Sequence, residues 1–313
     1  MESIAGLLGT EYPVIMGAMG TISNPELVAA VCNGGALGQL ATVGLDVQGL
    51  RRAIAEVREL TARPFGVNLV ARNPLSPAMV EVMAEEGVTV ATTSAGSPAA
   101  LASLLKDAGI KVLHVVPSPS LARKAARAGV DAVVAEGGES GGVQALRAVS
   151  TLVLVPQVVD AVDIPVVAAG GIHDGRGYAA AFAMGAKGVQ IGTRLMLTEE
   201  CRIDPNVKRA LLEAGPGDTM VLPMGTGGIR VLANDLARLL ATLPPEERAA
   251  KTAEAWMRVS DTFRKGDLST GLVLAGECAG AIDEILPAAE AVRRMVEEGE
   301  AILRGLRELP GEA

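Results

Sequence analysis

The chain has 313 residues, of which 49% are hydrophobic and only 2% aromatic, so it is long enough for one large α/β domain with an appendage or for two modest ones, with a core built from Val, Leu, Ile and Ala. A net charge of −8 without a basic block argues against nucleic acid or an anionic membrane surface as the main partner and favours a small-molecule substrate. Cys32, Cys201 and Cys278 are widely spaced and odd in number, which suggests free thiols in a reducing cytoplasm rather than a disulfide framework or a metal site.

The opening MESIAGLLGTEYP lacks the basic segment and apolar run of a secretory signal. The most apolar stretch, 151–172, is interrupted by Asp160, Asp163 and two prolines, too broken for a bilayer span. A cytoplasmic protein with no membrane segment is expected.

In chain order, apolar runs read as strands at Val14–Met19, Ala36–Ala41, Phe65–Val70, Thr89–Ser94, Lys111–Pro117, Asp131–Ala135, Val166–Ala169 and Lys187–Ile191. The helices between them open on cap-like residues: Asn24-Pro25, Asp46, Ser76-Pro77, Ser97-Pro98, Ser118-Pro119 and Asp174. Several close on a glycine just before the next strand, as at Gly87, Gly109 and Gly129. A repeated strand, helix and Gly stop is the pattern of a parallel α/β fold, and eight cycles favour a closed (β/α)₈ TIM barrel over an open doubly wound sheet. The first turn, Gly17-Ala18-Met19-Gly20, also lacks the dinucleotide-fold glycine spacing.

After Thr193 the rhythm stops. Helices are expected at 205–213, 231–241, 245–263 and 287–306, with a short apolar run at Met220–Met224 and a Gly-rich helix start at Gly271–Gly280. The expected organisation is a barrel over 1–200 and a mostly helical C-terminal cap or lid over 201–313 packed on it.

The stretch Pro165–Thr193 reads as strand, Gly170-Gly171 turn, Ala-rich helix and strand, ending in Gly192-Thr193. Two adjacent glycine turns expose backbone N–H groups, and a helix N-terminus adds partial positive charge, so this unit can hold a phosphate. The other strand ends are small: Gly17, Ala18 and Met19, then Asn68, Ser94, and a Gly-rich loop from Glu136 to Gly142. Together they describe a flat slot with a phosphate pocket at one end, the outline of FMN.

Asn68 reads equally as a group on the polar edge of a flavin ring or as a loop cap. Glu136 and Glu139 read equally as site residues or solvated loop residues. His114, mid-strand among apolar residues, reads as a core or lumen residue, and His173 follows the glycine turn.

The segments RPFGVN (63–68), VVPS (115–118), DAVVAEGGESGG (131–142), PVVAAGGIHDGRG (165–177), GVQIGTR (188–194) and GLVLAGECAG (271–280) run in order over nearly the whole chain. They resemble the nitronate monooxygenase family, formerly 2-nitropropane dioxygenase, which includes the FMN-dependent type II enoyl-acyl-carrier-protein reductases.

The resemblance implies an FMN-binding barrel with a helical lid. Gly17, Ala18 and Met19 would line the flavin ring, with Asn68 at its edge and Glu136 in the cofactor-binding set. Gly170, Gly171, Gln190, Gly192 and Thr193 would cradle the phosphate, while Ser94, Gly142, Val143 and Gly276 would face substrate. In both the monooxygenase and the enoyl-reductase subfamilies the loop commonly continues Gly-Gly-His, with that His over the flavin as the proposed base or substrate contact, whereas this chain reads Gly141-Gly142-Val143 and leaves no assigned catalytic residue.

The implied activity is reduction of an activated alkene such as an enoyl thioester, on acyl-CoA or acyl carrier protein, with NADH or NADPH as reductant. The alternatives are nitronate oxidation with O₂, quinone reduction, and a catalytically decayed flavin-binding protein. A homodimer is compatible with each.

Overall fold

The structure is a computed structural model that describes residues 3–145 and 147–308. The ends of the expected barrel and cap regions, residues 1–2 and 309–313, lie outside the described residues, as does Leu146.

A short α1 (Ile4–Leu8) precedes β1 (Val14–Met16), α2 (Pro25–Asn33), β2 (Gln39–Ala41), α3 (Val47–Leu60), β3 (Gly66–Val70), α4 (Ser76–Glu85), β4 (Val90–Ser94), α5 (Ala99–Asp107) and β5 (Lys111–Val116). Then come α6 (Pro119–Arg127), β6 (Ala132–Glu136), β7 (Gly142–Gln144), α7 (Thr151–Val159), β8 (Val166–Ala169), α8 (Gly175–Ala183) and β9 (Gly188–Ile191). All strands but β7 pair in parallel in the order β1-β9-β8-β6-β5-β4-β3-β2. The ring closes where Leu37 N donates to Val14 O at 2.9 Å and Met16 N donates to Leu37 O at 2.8 Å. This is a TIM barrel, and its eight strands are the eight apolar runs of the sequence.

Half of the expected cap residues act as caps, whereas Asn24 makes no side-chain cap bond and α4 and α5 follow Leu75 and Pro98 rather than Ser76 and Ser97. Asp46, Ser118 and Asp174 accept hydrogen bonds from the first turns of α3, α6 and α8. Gly87, Gly109 and Gly129 follow α4, α5 and α6 with φ of +61°, +73° and +83°, the left-handed stop that lets the chain turn back into the next strand.

Strand side chains alternate between the lumen and the helix shell. Ile15, Leu37, Val90, Leu113, Ala132, Val134, Val167 and Ala169 form a lumen cluster, closed at the N-terminal end by Ile4 and Leu8 of α1. The intervening Val14, Val67, Ala91, Val112, Val133 and Val189 join the core between strands and helices. His114 has the outward parity and is buried against the shell, so it belongs to the core and not to the lumen.

Beyond β9 lie α9 (Thr193–Met196), α10 (Pro205–Leu212), β10 (Thr219–Met224), β11 (Gly227–Leu232), α11 (Asp235–Thr242), α12 (Pro245–Met257), α13 (Val259–Lys265) and α14 (Ala288–Arg307). The apolar run at 220–224 is thus one arm of a β10-β11 hairpin, and Val231 and Leu232, expected in a helix, are in its other arm. The turn is Gly225-Thr226, with Gly225 at φ +58°. β11 also pairs with β7, so the loop after β6 and the hairpin form one antiparallel sheet of three strands. The expected helix 245–263 is broken at Arg258, and Gly271–Gly280 is an extended stretch ending in a short 3₁₀ turn at Glu277–Ala281.

α14 returns to the barrel and packs on α8 and α2, filling the helix ring after the last strand. Gly175 and Gly299 allow the α8-α14 approach, because a Cβ on either would overlap the opposite helix. Residues between α9 and α14 are therefore an insertion in the loop after β9. No helix among the described residues is long and apolar enough to cross a membrane.

Candidate active site

Strand parity places the expected residues. Gly17, Asn68, Ser94, Glu136 and Gln190 all carry the lumen parity at the C-terminal ends of β1, β3, β4, β6 and β9. In a TIM barrel this end is where the loops assemble a site. Gly17 N donates to Ile191 O at 2.7 Å, and a Cβ on Gly17 would meet Gln190 Cγ at 3.7 Å, so β1 and Gln190 lie side by side. Met19 curls over the last strand end, with Sδ 3.8 Å from where a Cβ on Gly192 would sit. Ala18, between them, is half-buried.

Asn68 is 7% exposed. Its Nδ2 donates to Thr92 Oγ1 at 2.8 Å, and Thr92 Oγ1 donates to Gln39 Oε1 at 2.6 Å. Gln39 Nε2 donates in turn to Met16 O at 2.5 Å. Asn68 Oδ1 has no donor among the described residues, yet it is not sealed from solvent, so it faces the mouth. The loop-cap reading of Asn68 does not hold, since its side chain points into the barrel.

At the opposite wall, Gly170 and Gly171 have φ of +109° and +73°. A Cβ on Gly170 would strike Thr151 Oγ1 at 2.6 Å, which shows how tightly this turn is packed against the start of α7. Thr151 is the link: its N–H and hydroxyl donate to Glu139 at 2.8 and 2.9 Å, and the hydroxyl also approaches Gly170 O at 3.0 Å. Glu139 is thereby spent on holding the loop after β6 to the glycine turn. Among the described residues the N–H groups of Gly171, Gly192 and Thr193 have no protein acceptor, as befits two open turns and the first residue of α9. The N-terminus of α8, by contrast, is already capped by Asp174, whose Oδ1 accepts from Gly177 N at 2.9 Å. The available donors come from the turns and from α9.

The inserted segment closes over this wall. Gly276 N donates to Thr193 Oγ1 at 2.9 Å, and Glu277 N donates to Glu139 O at 2.9 Å. A Cβ on Gly276 would come within 2.7 Å of Glu139 O, and one on Gly141 within 2.6 Å of Gly276 N. The two expected substrate-side loops are therefore in contact. Arg230 of β11 locks them: Nε donates to Gly138 O at 2.9 Å, and the guanidinium pairs with Glu277 at 2.9 Å. Val143 sits on β7 opposite Ile229 and is 52% exposed.

Burial pushes the Glu136 carboxyl up to about 7. Glu136 is the one titratable side chain among the described residues at the C-terminal end of the lumen. Its folded value lies above the ordinary 4.5, so between those pH values the folded protein keeps a proton that the unfolded chain has released. Stability is then highest below that window and falls as pH rises through it. Glu136→Gln is expected to flatten this slope and to gain on the order of 3 kcal/mol over the parent above pH 7. Melting curves from pH 5 to 8 check it, and equal slopes for the two proteins would refute it.

His114 behaves as a core group. Its Nδ1 lies 2.8 Å from Thr93 Oγ1, and burial lowers it to about 4. His173 Nδ1 is 3.2 Å from Gly171 O. The three cysteines are free and buried.

Sequence reasoning did not find Gln39, Thr92, Thr151 or Arg230. Gln39 alone had a readable signal, an isolated amide with the parity of Leu37 and Ala41 in an apolar strand. Arg230 had none, because its partners are fixed by a pairing between distant strands.

A family model described as nitronate monooxygenase matches residues 2–78 and 76–298. A (3aS,4S,5R,7aS)-5-hydroxy-7a-methyl-1-oxo-octahydro-1H-indene-4-carboxyl-CoA dehydrogenase from Rhodococcus jostii is 41% identical over 239 residues, 76% of this chain and 67% of its own length, so the chain spans about two thirds of that relative. A nitronate monooxygenase from Paraburkholderia phytofirmans is 32% identical over 98% of this chain and 97% of its own. The structure of FabK from Thermotoga maritima superposes with a TM-score of 0.90 at 39% identity, covering 98% of this chain and 99% of that one. With its closed parallel barrel and the glycine-lined strand ends, the chain belongs to the nitronate monooxygenase family of oxidoreductases.

Proposed function

We propose that the protein is an FMN-dependent reductase that uses NADH or NADPH to reduce the alkene of an enoyl thioester carried on CoA or on an acyl carrier protein. The observation that carries this reading is Val143, an exposed side chain at the loop position where the family's histidine is expected, which cannot take a proton from a nitroalkane carbon. Hydride transfer to an activated alkene depends less on that histidine, because a solvent-connected water can supply the proton that the α-carbon takes up. The whole-chain likeness to FabK, an enoyl-acyl-carrier-protein reductase, and the likeness over three quarters of the chain to an indene-carboxyl-CoA dehydrogenase support the same substrate class.

The residues present fit FMN. Among the described residues Gly171, Gly192 and Thr193 offer unpaired N–H groups, two of them on glycines with no Cβ in the way, which suit a phosphate. Gly17, Ala18 and Met19 would leave room along the ring, and the amides of Asn68 and Gln190 would meet its polar edge. When bound, the flavin supplies a two-electron carrier between nicotinamide and substrate. The protein's part is to orient it, and Glu136, its carboxyl pushed up to about 7 by burial, populates both protonation states near neutral pH at the C-terminal end of the lumen. Ser94, Gly142, Val143 and Gly276 would border the substrate, and the segment between α9 and α14 would cover it and exclude water.

Anaerobic mixing of the FMN-loaded protein with NADH or NADPH is expected to bleach the flavin, and an enoyl-CoA should then restore its colour. Failure of any enoyl thioester to turn over with either nicotinamide would sink the proposal. The likeness to the Paraburkholderia enzyme favours a second reading, nitronate oxidation, in which neither nicotinamide but an alkyl nitronate bleaches the flavin.

A further inference from the structure

We infer that the lumen holds a one-way hydrogen-bond relay, Met16 O to Gln39 to Thr92 to Asn68, which makes Gln39 and Thr92 positioning residues that present Asn68 Oδ1 as an acceptor to the cofactor edge. The inference rests on the proposed flavin site.

The direction follows from its fixed end. Met16 O is a backbone carbonyl and can only accept, so it must face Gln39 Nε2, 2.5 Å away. Gln39 Oε1 is then turned toward Thr92 and takes the single hydroxyl proton at 2.6 Å. That leaves Thr92 Oγ1 only its lone pairs for Asn68, so the nearer Asn68 atom must be Nδ2, at 2.8 Å. A flipped Asn68 would set carbonyl against lone pair, and a flipped Gln39 would set carbonyl against carbonyl.

Gln39 and Thr92 are each only 1% exposed, so water cannot replace either partner. Thr42 adds rigidity, its Oγ1 donating to Asn68 O at 2.8 Å. The three side chains come from adjacent strands, β2, β3 and β4, which fixes their spacing. One Nδ2 hydrogen is taken by Thr92 Oγ1 and the other faces Thr92 O at 3.5 Å, so Asn68 meets a ligand through Oδ1 as an acceptor and favours an N–H group, such as the imide edge of an isoalloxazine.

The test is FMN titration by fluorescence quenching, with the flavin midpoint potential and a thermal melt, on the parent, Thr92→Val, Thr92→Ser and Gln39→Leu. Thr92→Val is expected to weaken FMN binding about tenfold and to shift the potential, because Asn68 loses the 2.8 Å partner that fixes its amide and keeps only the 3.5 Å approach to Thr92 O. Thr92→Ser keeps the hydroxyl and should restore both. Gln39→Leu removes the directing acceptor and should change affinity and potential in the same direction as Thr92→Val, so the test stands if either variant folds. If the variants melt lower but bind FMN with parental affinity and potential, the relay is structural only and the inference is overturned while the flavin site stands. A folded parent that binds no FMN overturns both.

Discussion

Gly192→Leu is expected to abolish FMN retention while leaving the barrel folded. A Cβ at this position meets only Met19 Sδ at 3.8 Å, and the backbone has φ −123°, outside the left-handed region. There is therefore space for a side chain, and with ψ at −76° the backbone lies just beyond the helical region rather than in the left-handed one. The N–H groups of Gly192 and Thr193 have no acceptor among the described residues, and a leucine beside them would cover the space an anion must enter to reach them. Each hydrogen bond to a charged group contributes about 1.5–3 kcal/mol, so losing two weakens binding by roughly 10²-fold or more.

Gly171→Leu would also fill the turn, but it combines that effect with strain at φ +73° and with a contact to Glu139 Cβ at 3.3 Å. Gly192 separates ligand loss from misfolding. The measurement is flavin absorbance per protein after purification, beside a thermal melt. Normal flavin content in folded Gly192→Leu would refute the assigned cradle.

The barrel was legible because each of its cycles is written locally. A strand of alternating lumen and shell side chains, a cap such as Asp46 or Asp174, and a stop such as Gly109 all lie within one unit of chain. The glycine turns were legible for the same reason, since Gly170-Gly171 and Gly192-Thr193 need no distant partner to adopt their shapes.

The three-stranded sheet was not legible. β11 is continuous with a helix-like pattern from Ala233 onward, and its partner β7 lies some 85 residues earlier in a glycine loop that shows no strand pattern. What orients Asn68 was equally hidden. Its orientation depends on Thr92, 24 residues away, and through it on Gln39, a further 53 residues from Thr92 in sequence. Contacts of that separation are set by barrel closure, which no local pattern encodes.

Val143→His is expected to raise turnover of nitroalkanes by about 10²-fold or more, the range that a positioned general base supplies. Position 143 is suited to the change. It lies on a strand held by Ile229, whose pairing depends on backbone groups that the substitution keeps, and half of the side chain is free. The adjoining Gly142 and Gly141 are fixed by β11 and by contact with Gly276, so a new imidazole would enter a loop that is already ordered. Reduction of enoyl thioesters should change far less, because hydride transfer depends less on a proton-transfer group at this position. Steady-state assays with a nitroalkane, its preformed nitronate and an enoyl-CoA separate the cases. A gain with the nitroalkane but not with the nitronate would locate the added function in carbon deprotonation. No gain with either would mean that the absent histidine is not what turns this barrel away from nitronate chemistry, and Val143 would lose its place as the observation on which the reductase reading rests.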